Sequence, residues 1–233
     1  MTSSRLPGKI LLDLAGKAVL WRVIERVKKT KKLERVVIAT TTNRTDDIVA
    51  ALAAEMGVDV FRGSENNVLE RYYLAAKHFK ATHIVRITSD CPLIDPATID
   101  EVVETHLSAG NDYTSNTLER TYPRGLDTEV FSFKALERAH QKATLQPEIE
   151  HVTYYIYTHR DQFRVANVAA PPHLRRPQYR LCVDEPDDYR LIKRIYEEIK
   201  DSNGIIDIRR VIEFLDGNPK IASMNAHVDQ KKE

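Results

Sequence analysis

Apolar positions change their spacing several times along the first 110 residues. Over residues 20–27 they recur at helical spacing, with arginine and lysine between them. The next apolar run, Val36-Val37-Ile38-Ala39, is short and continuous, which is typical of a strand buried on both faces. The same reasoning predicts helices over 45–56, 67–79 and 97–108 and strands over 58–61 and 83–88. Alternating strands and helices favour a mostly parallel sheet covered by helices.

After Gly110 the pattern is less regular. It predicts strands over 112–116, 128–133, 163–168 and 179–183 and helices over 134–144, 147–159, 187–200 and 208–215. We therefore predict a three-layer α/β domain over residues 1–217, with a mostly parallel sheet and a small inserted lobe at about 110–170. Residues 218–233 read as a polar, frayed tail.

Composition and charge narrow the class of protein. The chain is 42% hydrophobic and 30% charged, and its 35 basic and 34 acidic residues leave a net charge of +1, so no overall field would recruit nucleic acid or an anionic membrane. We find no apolar run near the roughly 18 residues of a membrane helix and no signal peptide. Cys91 and Cys182 are too few for a disulfide framework and are expected to be small buried residues. These features predict a cytoplasmic globular protein.

The N-terminal segment Ser3-Ser4-Arg5-Leu6-Pro7-Gly8-Lys9 has the composition of a phosphate-binding loop. Gly8 would let backbone amides approach a polyphosphate, while Arg5 and Lys9 would neutralise its charge. The spacing is not that of a Walker loop, and a solvated basic terminus is the alternative. Such loops normally follow a strand, and here only two residues precede the segment. We expect either that the start of the chain is misplaced or that the sheet has lost an element.

Two aspartates follow predicted strands. Asp90 comes directly after the strand at 83–88, and Asp184 after the strand at 179–183. Carboxylates at the carboxyl ends of neighbouring strands are suited to hold Mg²⁺ and phosphate groups. Helix capping is the alternative role for each aspartate, and Asp95, ahead of Pro96, fits that role best.

The sequence also contains the residues of a second kind of metal site. Glu137-x-x-His140 and Glu148-x-x-His151 are both E-x-x-H pairs on predicted helices, as in di-iron bundles. Such sites need four long facing helices, whereas strands are predicted throughout this chain, so a di-iron site is disfavoured. No G-x-S-x-G, H-E-x-x-H or G-x-G-x-x-G motif is present, which leaves hydrolase, zincin and dinucleotide-binding functions unsupported.

Several segments in order resemble the cytidylyltransferase-like sugar nucleotidyltransferases, a family that includes CMP-KDO synthetase and acylneuraminate cytidylyltransferase. The matching segments are 3–9, 36–40, 61–65, 68–71, 86–95, 125–131, 150–153 and 183–188. The likeness is greatest to the branch typified by the spore coat polysaccharide biosynthesis protein SpsF. It implies a nucleotide-diphospho-sugar transferase-like fold of the GT-A type and transfer of CMP from CTP to a sugar acid. It further implies Mg²⁺ as cofactor, a role in surface polysaccharide biosynthesis, and a homodimer.

The resemblance also implies roles for individual residues. Ser4, Arg5 and Lys9 match the loop that holds the nucleotide triphosphate, and Asp90 and Asp184 match the two metal carboxylates; Arg5, Lys9 and Asp90 are the expected catalytic residues. The remaining matches are Ser64 and Arg71 for the base and ribose, and Arg124, Asp127, Glu129 and His151 for the sugar acid.

Two alternatives stay open at this point. One is a glycosyltransferase, although the tripeptide Ser89-Asp90-Cys91 lacks the Asp-x-Asp motif of many such enzymes. The other is a non-catalytic relative, because similar proteins have a strand ending in Ala-Arg-Met before the Ser-Ser-Arg loop. Loss of that strand would expose two neighbours, so we expect the chain as written to be destabilised and poorly active. The apolar segment 152–156 is expected to pack either in the core or in a dimer interface.

Overall fold

The computed structural model describes residues 5–199 and 205–230. The strands of this part are β1 Asp13–Leu14, β2 Lys17–Ala18, β3 Val37–Thr41, β4 Asp59–Gly63, β5 His83–Arg86, β6 Tyr113–Ser115, β7 Glu129–Ser132 and β8 Val165–Asn167. The helices are α1 Val19–Val27, α2 Asp47–Glu55, α3 Val68–His78, α4 Pro96–Ala109, α5 Phe133–Lys142, α6 Gln146–Glu150, α7 Tyr154–Thr158, α8 Pro186–Glu198, α9 Ile208–Gly217 and α10 Pro219–Ala222. Short 3-10 helices lie at Lys9–Leu11, Arg44–Asp46 and Pro172–Leu174.

Strand pairing is both parallel and antiparallel. β1 and β2 form an antiparallel hairpin, and β3 pairs in parallel with β4. The larger sheet has the order β5-β7-β6-β8, with β7 antiparallel to both neighbours and β6 parallel to β8. As far as the described residues go, β3 and β5 each have a strand on one side only. The stretch 110–170, predicted as a lobe, thus supplies three strands to the sheet of β5.

Helices cover both faces, which gives the three-layer α/β fold that the pattern predicts. Neighbouring residues of β7 show the layering: Val130 packs with α4, whereas Phe131 packs with α3 and α5. Both side chains are buried because consecutive side chains of a strand point to opposite faces. Within the described residues, none of the helices has the length and apolar character needed to cross a membrane.

Two predicted elements differ in the structure. Residues 179–183 form no ladder and make a single parallel bridge, between Arg180 and Arg124. The predicted helix over 147–159 is divided into α6 and α7, because Thr153 donates a hydrogen bond to the buried Glu129 and the chain turns at 151–153 to allow it. Val152, Tyr155 and Ile156 are buried in this chain's own core, which confirms core packing for these three residues, whereas Tyr154 is only partly buried.

The C-terminal segment also departs from expectation. Instead of fraying, residues 219–222 form helix α10, and Ile221, Ala222 and Met224 pack against the core cluster that contains α8 and α9. Asn225 is 2% exposed. The polar composition of this segment does not predict its burial, because the burial of Asn225 is stabilised by hydrogen bonds rather than by apolar contacts.

Candidate active site

Asp90 and Asp184 lie side by side. Asp90 follows β5 after a short loop, and Asp184 follows the extended segment 179–183. The backbone amide of Val183 donates to the carbonyl of Asp90 at 2.8 Å, which ties the two segments together one residue before Asp184. The predicted convergence of the two aspartates is therefore seen, although the second segment is not a regular strand.

Lys9 bridges the two carboxylates. Its Nζ donates to Asp90 Oδ2 at 2.6 Å and to Asp184 Oδ1 at 2.7 Å. Arg5 Nη2 lies 2.8 Å from the same Oδ1 of Asp184, and its Nε lies 3.7 Å from Glu185. Lys9 therefore contacts both aspartates, whereas Arg5 contacts Asp184 and lies near Glu185. Ser4, the other residue predicted in this loop, lies outside the described residues.

The local backbone explains why the N-terminal loop reaches this point. Gly8 adopts a left-handed conformation, with φ 68°, immediately before the 3-10 helix Lys9–Leu11. This conformation is easily accessible to glycine and costs other residues more. It reverses the chain so that the Lys9 side chain is directed at the carboxylates. Partial burial then strengthens the ion pairs: the side chains of Lys9, Asp90 and Asp184 are 13%, 19% and 11% exposed.

These contacts shift the ionisation of both partners. Burial alone would lower the pKa of Lys9, but the charges and hydrogen bonds of Asp90 and Asp184 outweigh it, so that pKa is raised. Burial alone would raise the pKa of Asp184, but the Lys9 hydrogen bond and the charges of Lys9, Arg5 and Arg180 hold it below its usual value. Asp184 is therefore ionised and Lys9 charged at neutral pH.

Arg180 and Asp188 complete the surroundings of Asp184, and neither is predicted from the sequence pattern. Arg180 Nη2 donates to Asp184 Oδ2 at 2.5 Å, and its Nε donates to Asp188 at 2.9 Å. Asp188, which is fully buried, accepts from the backbone amide of Asp184 at 3.0 Å. The available signal was the Asp-x-x-x-Asp spacing across the start of α8, where a carboxylate is favoured at the helix N-terminus.

The turn at 124–126 packs directly on the segment that carries Asp184. Arg124 exchanges backbone hydrogen bonds with Tyr179 and Leu181, at 3.0 and 2.7 Å. Gly125 has φ +96°, and a Cβ atom there would lie 2.5 Å from the carbonyl carbon of Leu181. Only glycine allows the two backbones to approach so closely.

The four residues predicted to contact the sugar acid differ in their surroundings. The half-buried guanidinium of Arg124 makes no hydrogen bond or ion pair with the described residues, and its pKa is lowered by burial and by the charge of Arg120. Asp127 forms a two-point ion pair with Arg120, at 2.8 and 3.1 Å. His151 lies in the turn between α6 and α7, with its ring 6.4 Å from that of Tyr154.

Glu129 is committed to a buried network. Its Oε2 accepts from Arg86, and its Oε1 accepts from Tyr113 at 2.8 Å and from Thr153 at 2.5 Å. Burial would raise the pKa of Glu129, but the Arg86 charge and these hydrogen bonds hold that pKa low. Both carboxylate oxygens therefore have protein partners. This network connects β5, β7 and the turn that holds His151.

Ser64 and Arg71 are brought together at the carboxyl end of β4. Arg71 Nη1 donates to the Ser64 carbonyl at 2.5 Å, and Ser64 Oγ accepts from the backbone amide of Asn67 at 3.0 Å. Asn67 in turn caps α3. Arg71 Nε is buried without a hydrogen-bond partner, and burial lowers the pKa of this guanidinium. None of the contacts described for these residues reaches Asp90 or Asp184.

The donor set around Asp90 and Asp184 suits a hard divalent cation. An oxygen of each carboxylate lies within 2.7 Å of the same Lys9 nitrogen, so one cation already interacts with both. The described residues contain no group of three or more histidine, cysteine or acidic side chains that would enclose a metal. A cation here would take its remaining ligands from phosphate and water, which is usual for Mg²⁺.

The other candidate groups have structural roles. Cys91 and Cys182 are buried, as predicted, and burial raises the pKa of both thiols. Glu148 caps α6 by accepting from the backbone amides of residues 144 and 145. Glu137 accepts from Tyr73 at 3.4 Å. Asp95 caps α4 by accepting from Thr98, also as predicted.

A family model and two similar proteins each match nearly the whole chain. A family model described as cytidylyltransferase matches residues 1–209. Uncharacterized protein MJ1063 of Methanocaldococcus jannaschii is 41% identical, over 98% of this chain and 92% of its own length. The spore coat polysaccharide biosynthesis protein SpsF of Bacillus subtilis is 35% identical, over 96% of this chain and 93% of its own length.

Solved structures extend the comparison. A cytidylyltransferase from Leptospira borgpetersenii has a TM-score of 0.90 and 32% identity, covering 100% of this chain and 95% of its own. CMP:2-keto-3-deoxy-manno-octonic acid synthetase in complex with CTP has a TM-score of 0.61 and 17% identity, covering 84% of this chain and 94% of its own. At that identity the second likeness shows a shared fold alone.

Proposed function

This chain belongs to the cytidylyltransferase family of nucleotidyltransferases, and from that premise we propose that it couples CTP to a sugar acid. The anomeric hydroxyl of the sugar attacks the α-phosphorus of CTP. The new oxygen–phosphorus bond forms as the bond to the β-phosphate breaks, the hydroxyl proton is released to solvent water, and the products are a CMP-sugar and pyrophosphate. The observation that carries the proposal is the position of Lys9 between Asp90 and Asp184, with Arg5 beside it.

Asp90 and Asp184 would hold the divalent cation, for which we propose Mg²⁺ on the grounds of its preference for carboxylate and phosphate oxygens. When bound, the cation supplies charge neutralisation at the reacting phosphate. The protein itself supplies two carboxylates that are kept ionised, one of them by the lowered pKa of Asp184. It also supplies the rigid pairing of their two segments through the Val183 amide.

Lys9 and Arg5 are proposed to exchange partners when the nucleotide binds. In the described arrangement both neutralise Asp184, which otherwise lies buried beside Asp90. A triphosphate brings stronger acceptors for the same ammonium and guanidinium groups. The two cations would then neutralise the pyrophosphate as it leaves. No covalent nucleophile is required, because positioning and electrostatic stabilisation account for catalysis of this type.

We propose that Arg124 binds the carboxylate of the sugar acid. Its guanidinium makes no hydrogen bond or ion pair with the described residues, although it lies on the turn that packs against the Asp184 segment. A half-buried, uncommitted arginine next to the reacting centre is suited to a carboxylate ligand. Asp127 and His151 remain candidates for the sugar hydroxyls. Glu129 is proposed to support the turn of His151, since both its oxygens have internal partners.

The wider role is proposed from the relatives. SpsF is named for spore coat polysaccharide biosynthesis, and a CMP-sugar is the kind of activated donor that such a pathway consumes. A homodimer and a cytoplasmic location are proposed from the family resemblance. Light scattering of the purified protein tests the first of these.

The test combines nucleotide binding with product analysis. The melting temperature is measured with Mg²⁺ and each of CTP, UTP, GTP and ATP, since saturation at 100 times Kd adds about 2.7 kcal/mol to the unfolding free energy. Reactions with CTP and a panel of sugar acids are then followed by pyrophosphate release and by ³¹P NMR of the CMP-sugar. Transfer of sugar from a nucleotide-sugar donor, without pyrophosphate, would instead favour a glycosyltransferase.

The variant Asp90→Asn provides the site-specific part of the test. It should abolish Mg²⁺-dependent turnover and leave the fold intact, because Asp90 is only partly buried and its replacement is isosteric. Asp95→Asn is the matched control: it makes the same change five residues away, in a helix cap where asparagine serves as well as aspartate. Full activity of the Asp90 variant would remove that residue from the proposed metal site.

A further inference from the structure

Arg180 holds one oxygen of Asp184, while Arg5 and Lys9 of the N-terminal loop hold the other. Arg5 and Lys9 both contact Oδ1, whereas Arg180 Nη2 contacts Oδ2. The Arg180 side chain is 6% exposed, against 23% for Arg5. Its Nε donates to Asp188, and its Nη1 donates to Gln230 at 2.6 Å. Arg180 therefore has a protein partner on each of its three nitrogens.

Asp188 links this guanidinium to the backbone of the site. One of its oxygens accepts from the backbone amides of Asp184 and Glu185, each at 3.0 Å. The other accepts from Asn225 Nδ2 at 2.7 Å. Because Asp188 is fully buried, its position depends on these partners rather than on water.

Asn225 reaches the network from the C-terminal segment, residues 219–230. Its Nδ2 donates both to Asp188 and to the carbonyl of Arg180, the latter at 2.9 Å. An amide nitrogen has two hydrogens, and these two acceptors use both. Together with Gln230, Asn225 is the contribution of this segment to the surroundings of Asp184.

We infer that residues 219–230 are an integral part of the active site, in which Asn225 and Gln230 are positioning residues that fix Asp184 through Arg180 and Asp188. This inference rests on the proposed function, in which Asp184 holds the divalent cation. Lys9 and Arg5 must be free to move to the nucleotide phosphates, so they cannot also hold Asp184 in place. The anchored Arg180 can, because its contacts to Asp188 and Gln230 do not involve the nucleotide.

The isosteric variant Asn225→Asp addresses this network directly. It keeps the shape of the side chain, removes both donated hydrogen bonds and brings a second carboxylate against Asp188. Asn218→Asp is the matched control, since it makes the same chemical change at the exposed position just before this segment, where the side-chain amide donates to the Phe214 carbonyl. Gln230→Ala is a milder variant, because Gln230 is exposed and its loss leaves no buried cavity.

The readout is Mn²⁺ binding measured by electron paramagnetic resonance, with and without a non-hydrolysable CTP analogue, followed by kcat and the KM for CTP. We expect Asn225→Asp to weaken Mn²⁺ binding at least tenfold and to lower kcat in proportion, with the KM for CTP changed less than threefold. Gln230→Ala should weaken Mn²⁺ binding two- to fivefold at unchanged melting temperature. Asn218→Asp should match the parent protein. A general loss of structure would instead change Mn²⁺ binding, kcat and the KM for CTP together.

Unaltered Mn²⁺ binding in folded Asn225→Asp would overturn the inference. If that variant does not fold, unaltered binding in Gln230→Ala would do so. Formation of the CMP-sugar by the parent protein tests the proposed function separately. A parent protein that binds Mn²⁺ with the CTP analogue but forms no product would overturn the function and leave the positioning role standing, whereas a parent protein without Mn²⁺ binding would overturn both.

Discussion

Replacing Gly125 with alanine should damage both the fold and the site, for reasons that the structure allows to be separated. A Cβ atom at this position would lie 2.5 Å from both the carbonyl carbon and the oxygen of Leu181, and 2.9 Å from the amide nitrogen of Cys182. Those atoms are backbone, so no side-chain rotation relieves the contact. The positive φ adds about 1–2 kcal/mol for an L-residue, and displacing a packed segment adds about 1–3 kcal/mol. Gly125→Ala should therefore lower the free energy of unfolding by about 2–5 kcal/mol.

Urea denaturation measures this loss, and steady-state kinetics measures its effect on the site. The displaced segment carries Asp184 and the amide of Val183 that bonds to Asp90, so kcat should fall as well. Gly16→Ala is the matched control: Gly16 has a similar φ of +82°, but a Cβ atom there would have no other atom within 4 Å. Gly16→Ala should lower the unfolding free energy by only the cost of a positive φ, about 1–2 kcal/mol, and leave kcat unchanged. Equal losses of unfolding free energy in the two variants would refute the role of the close approach.

Two further predictions concern buried ionisable groups. Breaking the ion pair with Arg86 by Glu129→Gln should lower the unfolding free energy in urea by about 1–3 kcal/mol, because it leaves the partly buried Arg86 guanidinium without its charged partner. A raised KM for the sugar at unchanged stability would instead make Glu129 a direct ligand. Burial and the nearby His83 lower the pKa of His106 to about 4, so below pH 6.5 the unfolded chain binds the proton more tightly. The unfolding free energy should then fall by about 1.5 kcal/mol between pH 6.5 and 5, and urea denaturation of His106→Gln should lack that contribution. If the unfolding free energy of His106→Gln depends on pH as steeply as that of the parent protein, the assignment to His106 is wrong.

The positions of Asp90 and Asp184 could be predicted from the sequence because both follow from a rule of local structure. Aspartates directly after predicted strands are expected at the same edge of an α/β sheet. The composition of residues 3–9 predicts a phosphate-binding loop in which Arg5 and Lys9 supply the positive charge. The two aspartates do lie together, and the Asp95 cap was predicted in the same way, whereas the contacts of Lys9 with both carboxylates, at 2.6 and 2.7 Å, were not predicted.

The structural features that the sequence pattern did not predict depend on contacts between distant segments. Residues 179–183 read as a strand, but their hydrogen bonds go to Arg124 and Asp90 on different segments, so no ladder forms. The helix over 147–159 has a continuous apolar face, yet Thr153 leaves helical geometry to reach Glu129. Neither departure carries a local signal, because each is set by a partner more than 20 residues away along the chain.

Asn225 shows most clearly why hydrophobic patterning is incomplete as a guide to this site. A polar residue in a polar segment predicts a solvated tail, and burial of an amide is unfavourable unless both of its donors are used. Here both are used, and their acceptors are the carbonyl of Arg180 and the carboxylate of Asp188. The same two residues determine where Asp184 lies. The C-terminal segment is thus held on the core by the hydrogen bonds of Asn225 as well as by the apolar contacts of Ile221, Ala222 and Met224. In the proposed reaction, Arg180 remains the fixed partner of Asp184 when Lys9 and Arg5 move to the nucleotide.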